Sequence, residues 1–128
     1  MAAKPQADAV ITVYPFKAQV AVFKDFEERC RYYEEVIGIA DHGFRDRPAN
    51  AMASEHEDST GAPWWSMYLP DDTSVPTIVH ECSHIVDFLM DAHGVPVNVE
   101  NTEIRAYMLA DLFEEVSAVM AGKDVSNG

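Results

Sequence analysis

One long stretch in the second half of the chain limits the possible folds more than any other, because it carries a complete helical pattern between marked ends. Ser74 or Thr73 is placed to cap a helix, Pro76 is tolerated in its first turn, and Gly94 stops it just after His93. At about 100° per residue, one side of this helix is an apolar stripe made of Ile78, Cys82, Ile85, Val86 and Leu89. The opposite side is polar and contains His80, His84, Asp87 and Asp91. Such a helix has to bury its stripe against a second layer of the same domain.

The elements of that second layer follow from β-branched and aromatic runs, caps and breakers. In chain order we expect a frayed N-terminus over residues 1–8, a strand over 9–16 and a possible short strand over 19–23. A helix over 26–37 follows, capped by Asp25 and ended by Gly38, and then a loop over 40–50. We expect a hairpin with arms 51–56 and 64–69 before the central helix, and a last helix after it, from near Asn98 or Asn101 to Gly122. This order predicts a single α+β domain over residues 1–128.

Size and charge exclude several classes of protein. The chain has 128 residues, a common size for one domain, with ordinary globular proportions of hydrophobic (48%) and charged (24%) residues. Nine Lys and Arg against 22 Asp and Glu give a net charge of −13, which repels nucleic-acid phosphates and anionic bilayers. No apolar run is long enough to span a membrane and the N-terminus does not resemble a signal peptide, so we expect a cytoplasmic protein that binds neither nucleic acid nor membrane. Its two cysteines, Cys30 and Cys82, are too few for a disulfide scaffold and are expected to be reduced.

The sequence His80-Glu81-Cys82-Ser83-His84 is an HExxH motif inside the central helix. Residues four positions apart lie one above the other on a helix, so both imidazoles point to the same side and can hold one metal ion. The carboxylate of Glu81 lies close enough to act as a base on a water molecule beside that metal. Cys82 falls on the apolar stripe and is interpreted as a core residue rather than a ligand.

A catalytic zinc site needs a third protein ligand, for which Glu103 is our first choice. It follows His84 by 19 residues, at the start of the next helix, so an antiparallel return would bring it beside the histidine pair. Ala106 and Ala110 flank its face and would let the two helices approach closely. Glu100 is the competing ligand and the weaker choice, because it would lie before that helix or in its first turn.

These features resemble the gluzincin branch of zinc metallopeptidases, in particular small single-domain zincin-like proteins of bacteria and phages. The resemblance rests on the HExxH helix, the short turn after it and the later ExxA pattern Glu103-Ile104-Arg105-Ala106, and it covers about residues 51–120. It implies that three residues bind Zn²⁺, namely His80, His84 and Glu103. It also implies a zincin-like domain in which the strand Trp64 to Leu69 lies at the sheet edge and borders the substrate cleft.

The reaction implied by the resemblance is hydrolysis of a peptide or related amide bond, with a peptide or protein as substrate. Glu81 would take a proton from water and return it to the leaving amine. The developing oxyanion needs a further donor, which we assign to Tyr107, with His93 and His56 as alternatives. Asp87, one turn beyond the second histidine of the motif, either orients an imidazole or is a solvated surface residue.

Two other function classes stay open. One is a zincin-like binding module that keeps its metal and uses its acidic surface to occupy a partner protein. The other is an acidic decoy of nucleic acid, which the net charge alone suggests. The substrate side chains and the oligomeric state are not determined by the sequence.

Overall fold

Four strands form one mixed sheet in the computed structural model of the protein, which describes residues 4–39 and 50–122. The strands are β1 (Ala9–Val13), β2 (Ala18–Phe23), β3 (Met52–Glu57) and β4 (Pro63–Tyr68), and they lie in the order β1-β2-β4-β3. The β1–β2 and β3–β4 pairs are antiparallel, whereas β2 and β4 pair in parallel. The predicted hairpin is confirmed, but the parallel pairing was not predicted. The loop predicted over residues 40–50 lies outside the described residues, except for Asn50.

The helices begin and end where local signals predict. The first, α1 (Phe26–Arg31), is capped by Asp25, whose carboxylate accepts a hydrogen bond from the Glu28 amide, and a π-helical segment, Tyr32–Ile37, continues it. Gly38 ends that segment with φ at 88°, a left-handed conformation that favours glycine. The central helix, α2, spans Val75–Ala92, and a 3₁₀ turn at Val99–Asn101 leads into α3, which spans Thr102–Met120.

The two faces of the sheet are covered by different helices. α2 and α3 pack on the face that carries alternate apolar side chains of the strands, among them Val20, Trp65 and Met67. Ser66 points to the other face, where its hydroxyl hydrogen-bonds the hydroxyl of Tyr33. The predicted α+β class is confirmed, with the HExxH helix in the layer over the apolar face.

The core between the sheet and α2 is mainly apolar. The stripe predicted from the sequence is buried, and Met90 is buried with it. Glu81, which faces inward, is the polar residue of α2 that is also buried. Cys82 is fully buried, and this desolvation raises the pKa of its thiol to about 12. Its interpretation as a core residue is therefore confirmed. In the described part of the chain, no helix is both long enough and apolar enough to cross a membrane.

Candidate functional site

The two histidines of the motif lie side by side on the exposed face of α2. Their Nε2 atoms are 3.1 Å apart, and the side chain of His80 is 66% exposed. Two imidazole nitrogens bound to one tetrahedral zinc at 2.0–2.1 Å would be separated by about 3.3 Å. His80 and His84 therefore fit two of the ligand positions of a divalent metal, and they face solvent, from which a metal can enter.

Glu81 lies at the border between the histidine pair and the core. Its side chain is only 11% exposed, and its Oε2 atom is 3.9 Å from Nε2 of His80. The helix turns by about 100° per residue, which places this carboxylate beside the pair and on the inner side of it. The arrangement provides a proton acceptor, held by the core, next to a pair of metal-ligating nitrogens.

Glu103 and Tyr107 lie on the exposed face of α3, and Tyr107 is 68% exposed. Glu100, the competing ligand, is exposed in the 3₁₀ turn before that helix. Within residues 4–39 and 50–122, no three His, Cys, Asp or Glu side chains are grouped closely enough to hold a metal ion. The structure therefore brings together the histidine pair and the carboxylate of Glu81. It does not bring Glu103 or Glu100 to them.

The reason lies in the rotation of α3. Arg105 is the residue that turns toward α2, and two positions along a helix correspond to a rotation of about 160°. Glu103 accordingly points away from the face that Arg105 presents. The two alanines expected to line a close helix contact, Ala106 and Ala110, are also exposed.

Arg105 connects the two helices through hydrogen bonds that the sequence analysis missed. Its Nε atom donates to Oδ1 of Asp87 at 2.8 Å, and its Nη2 atom donates to the Ser83 hydroxyl at 2.6 Å. The hydrogen bond to Asp87 raises the pKa of the guanidinium group. The composition of the sequence could have indicated this pairing, because Arg105 is the only Lys or Arg between residues 75 and 122. Asp87, expected to orient an imidazole or to be solvated, is instead bound to Arg105.

The other two histidines considered as donors lie elsewhere. His93 follows α2, nine residues beyond His84 and hence about 13 Å along the axis, where its ring stacks on Phe16 at 4.1 Å. His56, on β3, contacts the ring of Tyr33 at 4.8 Å, on the face of the sheet opposite α2. Neither ring joins the histidine pair.

The strand at the edge of the sheet next to α2 is β3, not β4. The expectation that Trp64 to Leu69 forms this edge is wrong, because β4 pairs with β2 on one side and with β3 on the other. Both β3 and α2 contribute to one apolar layer, in which Ala53 packs against the core. The edge strand that lies next to α2 is therefore Met52–Glu57.

Comparisons with known proteins identify no relative of the chain. No protein-family model, no curated protein and no solved structure matches the chain. The site is accordingly interpreted from its own geometry and chemistry.

Proposed function

We propose that the protein is a zinc-dependent hydrolase with a zincin-like domain, acting on a peptide or related amide bond. The observation that carries the proposal is the spacing of the two Nε2 atoms, 3.1 Å, with the buried carboxylate of Glu81 beside them. A bare pair of surface histidines does not require such a carboxylate, whereas hydrolysis needs a base at this position.

Each residue of the candidate site has a definite role in this proposal. When bound, a divalent metal polarises a carbonyl group and makes nearby water more acidic. His80 and His84 hold the metal, and Glu81 accepts the proton of the attacking water on a carboxylate oxygen and passes it to the leaving amine. Glu103 is the third ligand that the resemblance implies, and α3 would have to rotate to bring its carboxylate, which now lies on the face opposite Arg105, to the pair. Tyr107 is the proposed donor to the oxyanion.

The edge strand gives the proposal its substrate class. In the described part of the chain, β3 has a strand neighbour on one side only. An extended peptide can add to such an edge through backbone hydrogen bonds and thereby lie beside α2, the helix that carries the histidine pair. A peptide or protein is therefore the substrate that this arrangement favours.

A second candidate function is a metal-containing binding module without efficient hydrolysis. The observation that favours it is the absence of a third acidic or histidine side chain grouped with the pair among residues 4–39 and 50–122. A metal held by two histidines alone keeps several positions for groups of a partner protein. The net charge of −13 would direct such a module toward a basic partner surface.

Two substitutions separate these functions. We expect His84→Ala to remove bound zinc, measured by elemental analysis of protein purified without chelator, because one of two adjacent nitrogens is lost. His93→Ala, outside the pair, is the control and should keep its zinc. Glu81→Gln should keep zinc and the melting temperature but lose hydrolysis of a mixed peptide library. Equal zinc in His84→Ala and the wild type would refute the metal site, and unchanged hydrolysis in Glu81→Gln would refute the base.

A further inference from the structure

The register of the β3–β4 pair determines which residues form the open edge of β3. In an antiparallel pair, opposite residues alternately do and do not exchange backbone hydrogen bonds. The Asp58 amide, directly after β3, donates to the Ala62 carbonyl at 3.0 Å, so the even-numbered residues of β3 turn their backbone groups toward β4. The odd-numbered residues turn theirs outward, and they are Ala53, Glu55 and Glu57. In the part of the chain that the structure describes, no strand pairs with these outward groups.

The side chains of the same three residues lie on the face of the sheet that α2 covers. Successive side chains of a strand alternate between the two faces, and Ala53 packs against the core that contains the apolar stripe of α2. The carboxylate of Glu55 accepts a hydrogen bond of 2.7 Å from the indole nitrogen of the buried Trp65, which holds it on that face. Glu57 follows two positions later on the same face. One set of residues therefore supplies both the open backbone groups and two carboxylates.

A cavity of about 480 Å³ lies at the end of this edge, between β3, the turn after it and the last turn of α2. Its lining includes the carboxylates of Glu55, Glu57 and Asp91 and the ring of His56, and the described residues around it include no Lys or Arg. The C-terminal end of α2, which helps to form the cavity, carries the negative end of the helix dipole. The charge of the edge is therefore complementary to basic side chains.

The geometry points to the β3 edge as a docking site for an extended segment of another protein with Lys or Arg at two alternate positions. Added as a strand, this segment hydrogen-bonds its backbone to the outward groups of β3 and places both cations opposite the carboxylates of Glu55 and Glu57. Two adjacent basic residues would point to opposite faces, so only one of them would meet a carboxylate. As a statement about the substrate of the hydrolase, this inference rests on the proposed function, whereas the docking itself requires neither the metal nor Glu81.

The test is the binding of two synthetic peptides to the full chain, measured by isothermal titration calorimetry in the Glu81→Gln background, which prevents cleavage. Both are short, threonine-rich peptides with two lysines, which are separated by one residue in the first peptide and adjacent in the second. We expect the first to bind about threefold more tightly, as one additional cross-strand ion pair predicts. The double variant Glu55→Gln with Glu57→Gln should remove this preference, because both carboxylates are lost.

The matched control is Asp111→Asn with Glu114→Gln, which removes two charges from exposed positions of α3 and should keep the preference. Amide hydrogen exchange measured by NMR is the second readout. The three outward amides of β3 should become protected when the first peptide binds, whereas the Ser54 amide, which faces β4, should not change.

Equal affinities of the two peptides would overturn the inference, and so would a preference that survives in the double variant of β3. Unchanged exchange at the three outward amides would overturn it as well. Zinc binding that survives His84→Ala would instead refute the proposed function and leave the docking site in place, so the two failures are distinguishable.

Discussion

The two helices that carry the candidate site are anchored in different ways. α2 has buried side chains in every turn from Ile78 to Met90, and the sheet and core fix its rotation. α3 has its first fully buried residue at Met108, and in the turns with Glu103 and Tyr107 the apolar contact with the core comes from the partly buried Ile104. Parts of one site can therefore be prearranged to different degrees. The histidine pair is set by fully buried neighbours, whereas the first turns of α3 are held by the partly buried Ile104 and by the hydrogen bonds of Arg105 to Asp87 and Ser83.

The largest effect in this comparison is expected from the core side of α2. Leu89 is fully buried, so Leu89→Ala should lower the free energy of unfolding by about 2–5 kcal/mol, through lost burial and the cavity left behind. Urea unfolding followed by circular dichroism measures the change. A loss below about 1 kcal/mol would show that α2 is not anchored as described.

An intermediate effect is expected at the start of α2. The Ser74 hydroxyl accepts a hydrogen bond from the Thr77 amide, whereas Asn101 forms no side-chain cap on α3. Ser74→Ala should lower the free energy of unfolding by about 1 kcal/mol. Asn101→Ala should lower it by less, because only the bond from its amide to the Pro96 carbonyl is lost. A larger loss in Asn101→Ala, in the same unfolding experiment, would reverse the comparison.

The smallest effect is expected in the first turns of α3. Tyr107 is 68% exposed, so Tyr107→Ala removes little buried surface and should change the free energy of unfolding by less than about 0.5 kcal/mol. The measurement is the same urea titration. A loss comparable to that of Leu89→Ala would mean that this segment is anchored by its apolar contacts, and the contrast between the helices would disappear.

The sequence predicts α2 and its histidine pair because every signal is local. Ser74, the apolar stripe and Gly94 lie within one helix, and the spacing of His80 and His84 determines that they share a face. The face that α3 turns inward is not determined in this way. Its apolar residues spread over several sides, with Ile104, Leu109 and Phe113 partly buried beside the buried set, so periodicity does not single out one orientation.

Two further features depend on contacts between distant residues. Arg105 contacts Asp87 only after the two helices have packed, so no short sequence motif predicts this hydrogen bond. The parallel pairing of β2 with β4 likewise depends on the whole arrangement of the sheet, and it moves the edge from β4 to β3. Strand existence follows from composition, whereas strand order requires tertiary information.

That parallel pairing also has a consequence for the order in which the chain folds. The β1–β2 and β3–β4 hairpins each join neighbouring segments, but Val20 and Trp65, partners across the parallel pair, are 45 positions apart. Closing so long a loop costs more chain entropy than forming either hairpin. The two hairpins are therefore expected to form first and to join later along this single four-residue line of contact. The sheet surface on which α2 rests is completed only at that step.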